Sequence, residues 1–360
     1  MSEGRSRRQL AAALGAVLLL GLGLWLLRPG PSSDRPVGAP DAAAAALAHR
    51  DAGLEAWFSR GVAVVGRDGG VSPATPRPGG GLTAGWGSGT GQLGRSIPQE
   101  GNPEAPMSFA IAPGGRAVVL DQVNGRLSRF GPDGRPLESV PVTQQAPQDV
   151  TVAKDGTTLV LDRVKDKTVA VLKDGQLVGD LPVEGKGIPE GGGVTGVFTD
   201  GKDVYVEREH GSLVRVGDTD GKADPDRPEI PGRPTRDGKS FILAGLVDAA
   251  AGRAFVSSID RASMDPRFTR ELRLGQPVLA LVLLDTDLSG TLYLGALAEH
   301  GALKLLCLSG TDGAPIGSAD IPANSGPEET FRDLVVLDGG GVVYAQRTEQ
   351  GVSYLRYDCR

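Results

Sequence analysis

The chain has 360 residues, 54 of them glycine and 26 proline, with a formal net charge of −6. Neither glycine nor proline keeps a fixed period, which excludes a collagen-like chain and reads as turn punctuation in an all-β fold. The charges are interspersed, no long basic block stands in the folded part, and aromatic residues make up only 4%. Nucleic acid is therefore excluded as a main partner, and a stacking platform for bases or sugars is disfavoured.

Arg5, Arg7 and Arg8 precede LAAALGAVLLLGLGLWLL, an eighteen-residue run without a charge from Leu10 to Leu27 that Arg28 closes. A helix of that length reaches across a bilayer core. Three arginines before the run against one after it place the N-terminus in the cytoplasm. A cleaved signal peptide is the competing reading. The run is longer than a usual h-region, no small-x-small site follows it directly, and no lipobox cysteine exists, so residues 1–28 are read as a membrane anchor or signal segment, with the anchor preferred. Both readings put the remaining chain outside the cytoplasm, in the periplasm if the source is bacterial.

Residues 29–40, rich in proline, glycine and serine, form a linker. Residues 41–60 read as a helix: Asp41 is placed to cap it, and the alanine run has high helix propensity. Its apolar edge of Leu47, Leu54, Trp57 and Phe58 is short, which suits a stalk or a helix packed on the next domain better than a dimerisation surface. GVAVVG, Gly61 to Gly66, reads as a strand, and Ser72 to Leu82 as a proline- and glycine-rich connection.

Four short strands follow. Met107 to Ala112 alternates between Pro106 and Pro113. Ala117 to Leu120 is a continuous apolar run, too short for a helix. Asn124-Gly125 signals a two-residue hairpin with both positions at φ > 0, and Leu127 to Phe130 alternates again. After the Asp133-Gly134 turn, Leu137 to Val142 reads as the fourth strand. The unit then returns: Asp155-Gly156, Asp162 and Asp174-Gly175 stand forty-one residues after Gly114-Gly115, Asp121 and Asp133-Gly134. A third copy runs VTGVFTDGKDVYVEREHGSLVRV, with Glu207 in the Asp121 position. Looser copies begin at Leu243, Leu279 and Arg332. Six copies of four strands at a period near forty predict a six-bladed β-propeller over residues 61–360. The sixth copy ends after its third strand, so the missing outer strand must come from elsewhere. Val62 to Val65 is the expected donor, closing the ring and covering an edge.

The stretch from Gly85 to Val183, with its glycine-rich GWGSGTGQLG loop, the proline before the first strand, the VLDQVNGRL core and the following Asp-Gly, resembles the NHL-repeat family. The later copies share mainly the period. The resemblance implies a six-bladed propeller and a range of roles, from protein and RNA binding to lyase- and hydrolase-like chemistry, so it speaks to fold more than to function.

One loop has metal-ligand spacing. In GDTDGKADPDRPE, Asp218, Asp220, Asp224 and Asp226 surround Gly221, and calcium needs several oxygen ligands on a tightly turning loop. Glu229 stands at the twelfth position, but Pro225, Arg227 and Pro228 do not suit the helix that follows such loops, and a solvated acidic turn is the competing reading. Asp121, Asp162 and Glu207 could form part of an acidic ring. Ser257, Gly295 and Gln346 break it in the later copies, which favours local hydrogen bonds to each carboxylate's own hairpin. His49, His210 and His300 are scattered, with His210 and His300 expected in outward-facing turns. Cys307 and Cys359 fall two residues out of register on equivalent strands of neighbouring blades, which favours two partly buried free thiols over a bridge. No catalytic constellation or phosphate-binding loop is present.

The expectation is thus an all-β, NHL-like six-bladed propeller behind an N-terminal transmembrane helix and a short helical stalk, acting as a non-catalytic scaffold for a protein or cell-envelope partner. The alternative is a lyase- or hydrolase-type enzyme with its site at the axial mouth. No cofactor is expected beyond calcium on the Asp218 loop.

Overall fold

The computed structural model of the protein describes residues 62–64, 81–299, 301–324 and 326–359. The anchor, the linker and the 41–60 helix lie outside the described residues; among the described residues no helix is long and apolar enough to cross a membrane.

Six antiparallel sheets build the propeller. Blade 1 consists of Ser108–Ile111, Ala117–Asp121, Arg126–Phe130 and Val140–Pro141. Blade 2 follows with Asp149–Val152, Thr158–Asp162, Thr168–Lys173 and Gln176–Pro182, and blade 3 with Val194–Asp200, Asp203–Arg208, Leu213–Asp218 and Glu229–Ile230. Blade 5 is Val278–Thr286, Leu292–Ala298, Ala302–Leu308 and Pro315–Pro322. In these blades the first strand is the innermost and packs beside the first strand of a neighbour.

Blades 4 and 6 differ from the sequence reading. Blade 4 begins earlier than Leu243: its first strand is the two-residue Arg233–Pro234, so Ser240–Asp248, Arg253–Asp260 and Pro266–Arg273 are its second, third and fourth strands. Two residues carry no legible alternation, so the sequence shows only the three longer strands of this blade. In blade 6, Leu334–Val336, Val342–Thr348 and Gly351–Tyr357 receive their fourth strand from Leu82–Gly85, with Leu82 opposite Tyr354 and Gly85 opposite Gly351. The ring is therefore closed by Leu82–Gly85 and not by Val62 to Val65. Leu82 and Ala84 point inward and Thr83 and Gly85 outward, the period of a half-buried strand, hidden in the sequence by the surrounding glycines and prolines. Val62–Val64 instead lies parallel to Pro266–Arg273 as a fifth strand on blade 4, Val62 opposite Glu271 and Val64 opposite Arg273.

Two finer expectations change as well. Residues 122–125 form a four-residue turn with a 3-10 segment in which only Gly125 has positive φ, at 63°. The Asp121 carboxylate accepts from Asn124 and Arg126 and holds the wider turn. The fourth strand of blade 1 shrinks to Val140–Pro141, since Pro141 cannot extend the ladder.

Among the described residues, apolar clusters fill five of the junctions between neighbouring blades. Leu159, Leu161 and Val171 meet Val197, Val206 and Val214 between blades 2 and 3. Phe109, Phe130 and Val119 meet Ala345 and Tyr354 between blades 1 and 6, where the Phe109 and Tyr354 rings pack edge to face at 4.9 Å. Similar clusters join blades 1 and 2, 4 and 5, and 5 and 6. Blades 3 and 4 meet through charges: Arg233 pairs with Glu207 at 2.6 Å and Arg261 with Asp200 at 2.6 Å.

Cys307 and Cys359 form a disulfide across blades 5 and 6, with Cα atoms 6.0 Å apart, so the expectation of free thiols is corrected. Cys359 lies two residues beyond the last strand, where the chain has left the ladder and crosses to the neighbouring blade; strand register alone does not describe its position. Gly317, opposite Cys307, leaves room for that crossing, because a Cβ there would meet the Cys359 carbonyl oxygen.

Candidate axial site

The first strands run in one direction around the axis, as the parallel bridge between Ser108 and Arg332 records for blades 1 and 6. The face where they begin, called here the entry face, also carries the turns between second and third strands. A cavity of about 920 Å³ runs along the axis and is lined from every blade. That volume lies in the range of ligand pockets, roughly 300–1,000 Å³.

Several charged side chains at or beside it are paired, most of them across blades. Asp149 opens the first strand of blade 2 and is fully buried. One of its oxygens accepts from Ser108 Oγ of blade 1 at 2.6 Å and from the Val150 amide. The other accepts from the Val197 amide of blade 3 at 3.0 Å and from Arg332 Nη2, which precedes blade 6, at 2.5 Å. Four blades thus converge on one carboxylate. Arg233 forks onto Glu207 through Nε at 2.6 Å and Nη2 at 2.9 Å, and donates through Nη1 to the Leu284 carbonyl of blade 5 at 2.6 Å. Both guanidiniums sit against the Phe198 ring, Arg233 at 4.5 Å and Arg332 at 5.1 Å from its centroid, cation–π contacts in a partly desolvated channel. Arg236 bridges Asp285 and Asp338 toward the opposite mouth, and Arg347 pairs with Asp333.

Glu207 shows how the pairing sets protonation. Burial by itself raises its carboxyl, but Arg233, His210 and Thr195 overcome that penalty and hold it well below its ordinary value of 4.5. Burial likewise opposes the charge of Arg233, and Glu207 outweighs it, so the Arg233 value is raised. Both groups are therefore charged at neutral pH.

His210 lines this cavity, against the expectation of an outward-facing turn. It and Glu209 form the turn between the second and third strands of blade 3, at φ 56° and 49°. Two consecutive non-glycine residues in the left-handed region are strained, at about 1–3 kcal/mol each. The strain is held by hydrogen bonds from the Glu209 amide to the Gly193 carbonyl and from the His210 amide to Thr195 Oγ1. Thr195 Oγ1 donates to Glu207 at 2.8 Å, and His210 Nδ1 stands 3.5 Å from the same carboxylate.

The three proposed ring carboxylates part company. Asp121 accepts from the Gly94 amide, Asn124 and Arg126, tying the glycine-rich loop to blade 1. Asp162 accepts from the amides of Ala146, Val164 and Lys165. Glu207 alone of the three lines the cavity. Ser257 is not its equivalent, since it stands on the third strand of blade 4.

The Asp218 loop is likewise dispersed. Asp218 accepts from the amides of Asp220 and Lys222, Asp220 pairs with Lys173 and Lys202, and Asp224 pairs with Arg215 and caps the Asp226 amide. The carboxylates of Asp218, Asp220, Asp224 and Asp226 are not brought together, and among the described residues no three His, Cys, Asp or Glu side chains group as a metal site.

Sequence reasoning missed Asp149, Phe198, Arg233 and Arg332, because their partners stand as far as 183 residues away. The one available signal was a charged residue opening an otherwise apolar inner strand, at Asp149.

No protein-family model matches the chain, and no curated protein matches it. Solved structures with a similar arrangement include BamB from Moraxella catarrhalis, at 15% identity over 79% of this chain and 95% of that one, with a TM-score of 0.42. Virginiamycin B lyase from Staphylococcus aureus is 14% identical over 70% of this chain and 94% of that one, with a TM-score of 0.41. A streptogramin B lyase is 12% identical over 73% and 97%, with a TM-score of 0.42. At these identities and scores they carry no inference about what this chain does.

Proposed function

We propose that the chain is a membrane-anchored, extracytoplasmic, NHL-like propeller that acts as a non-catalytic binding scaffold for a protein or cell-envelope partner. One observation carries the reading: the arginines along the axial cavity are engaged by carboxylates, as in Arg233–Glu207, Arg236–Asp285, Arg332–Asp149 and Arg347–Asp333. Paired groups of this kind make a rigid wall suited to recognition, while acid–base or nucleophilic chemistry needs a group left available. The disulfide supports an oxidising compartment, and the Leu10–Leu27 run supports a tether in the membrane. The test is crosslinking of the tagged full chain in its native membrane, followed by purification. A partner recovered in stoichiometric amount, and lost on substituting a surface residue that leaves the melt unchanged, is expected; no stoichiometric partner under crosslinking would overturn the reading.

A second reading is favoured by the strained Glu209-His210 turn beside Glu207, because backbone strain gathers at active sites. It makes the entry mouth the site of a lyase- or hydrolase-type reaction. His210→Ala would then abolish turnover while leaving partner capture intact.

A further inference from the structure

Resting on the binding reading, we propose that the axial cavity holds a strand-addition site at blade 4, which receives an extended peptide with apolar side chains flanked by basic residues.

The site is the missing half of an inner strand. In blade 4 the first strand has two residues, while the second, Ser240–Asp248, has nine. Only Ile242 and Phe241 pair with it, opposite Arg233 and Pro234. The chain has just left the fourth strand of blade 3 at Ile230 and reaches the axis only at Arg233. From Leu243 to Asp248 the second strand is paired, among the described residues, only with Arg253–Asp260, and it packs without a ladder beside the first strand of blade 5. Among the described residues the axial edge of this second strand presents backbone donors and acceptors without a ladder partner, and an extended peptide completes such an edge.

The wall beside that edge is apolar and open. The first strand of blade 5 slips register between Val278 and Ala280 and again between Leu281 and Leu283, so Leu279 and Val282 drop out of the ladder. They are 60% and 43% exposed, and Leu246 on the facing strand is 36% exposed. All three line the cavity. Large apolar side chains gathered in a concave site mark a place where something binds. Alternate side chains of an added strand would point at this wall.

The flanking charge gives the partner its sign. The entry-face turns of blades 3, 4 and 5 carry Glu209, Asp248 and Glu299, all exposed, with Arg253 opposite Asp248. Blade 4 lies between the other two, so a peptide entering there passes acidic turns on both sides, and basic flanking residues complement them.

The test titrates the full chain in lipid nanodiscs into fluorescein-labelled Lys-Leu-Val-Leu-Lys, capped at both ends, and reads anisotropy against empty nanodiscs. Binding is expected. It should fall at least tenfold for Lys-Ser-Thr-Ser-Lys, for Glu-Leu-Val-Leu-Glu and for Lys-Leu-Pro-Leu-Lys, whose central residue cannot donate to the edge. It should fall equally for the wild-type peptide on Leu279→Asp, a substitution at an exposed position that leaves the melt unchanged. Equal binding of all four peptides, no binding, or indifference to Leu279→Asp would overturn the proposal. A stoichiometric partner captured from the membrane alongside such a result leaves the scaffold reading standing, while absence of any partner removes that reading too.

Discussion

At the scale of single residues, the Glu207–Arg233 pair is the most sensitive point of the axial wall. Glu207 is 2% exposed and accepts both arms of the guanidinium. Glu207→Gln leaves a buried arginine without its counter-charge, and removal of one partner of a buried pair costs about 3–5 kcal/mol. Urea unfolding at pH 7 should show that loss. The carboxyl is depressed in the folded state, so its contribution is complete above its unfolded value of 4.5 and disappears as pH falls below it toward the folded value. Stability of the wild type measured from pH 6 to pH 3 should therefore fall more steeply than that of Glu207→Gln; equal slopes would contradict the assignment. Asp220 gives the contrasting case. Its carboxyl is lowered by hydrogen bonds and charge from Lys173 and Lys202, and this engagement with ammonium groups takes it from any cation. Adding EDTA should leave the melting temperature of the purified chain unchanged. A fall of several degrees, restored by calcium, would return the Asp218 loop to a metal role.

At the scale of elements, the ring depends on two fastenings with different chemistry. Leu82–Gly85 contributes a paired strand to blade 6 and buries Leu82 and Ala84 beside Val352 and Tyr354. A chain starting at Gly81 should melt in one transition. One starting at Trp86 should lose that cooperativity, with blade 6 exchanging amide hydrogens first. Deleting residues 62–64 should leave blade 6 protected, and loss of its protection would mean that the closing strand has been misassigned. The disulfide closes a loop of 52 residues, and the chain-entropy model gives about 4 kcal/mol for that length. Cys307→Ser should lower stability by an amount of that order, and the unfolded wild type should show no free thiol. Most of this level was legible in the sequence. The turns marked the first three strands of blade 1 to within a residue, and the forty-one-residue offset placed blade 2. Blade 4 was read one strand late because Arg233–Pro234 is too short to show a period. The closing strand was misplaced because Val62 to Val65 is the more apolar segment, while Leu82–Gly85 derives its strand character from tertiary pairing.

At the scale of the molecule, the apolar clusters of the described residues join five pairs of neighbouring blades, while blades 3 and 4 meet through Arg233, Glu207, Arg261 and Asp200. The same junction holds the shortened inner strand and borders the open wall of Leu246, Leu279 and Val282. Little of this was visible in the sequence. The site is assembled from side chains of six blades, and neither spacing nor periodicity records which strand edges the ring leaves unpaired. The bulges at Leu279 and Val282 also read as ordinary apolar strand, since an apolar run does not show which residue drops out of a ladder.

The most direct measurement is site-specific photocrosslinking of the full chain in cells that express it, with the reactive side chain placed at Leu279 on the axial wall or at Ile316 on the outer strand of blade 5, 44% exposed. The account calls for one discrete protein adduct from position 279 and none from 316. Adducts from 316 alone, or none from 279, would contradict recognition through the axial cavity.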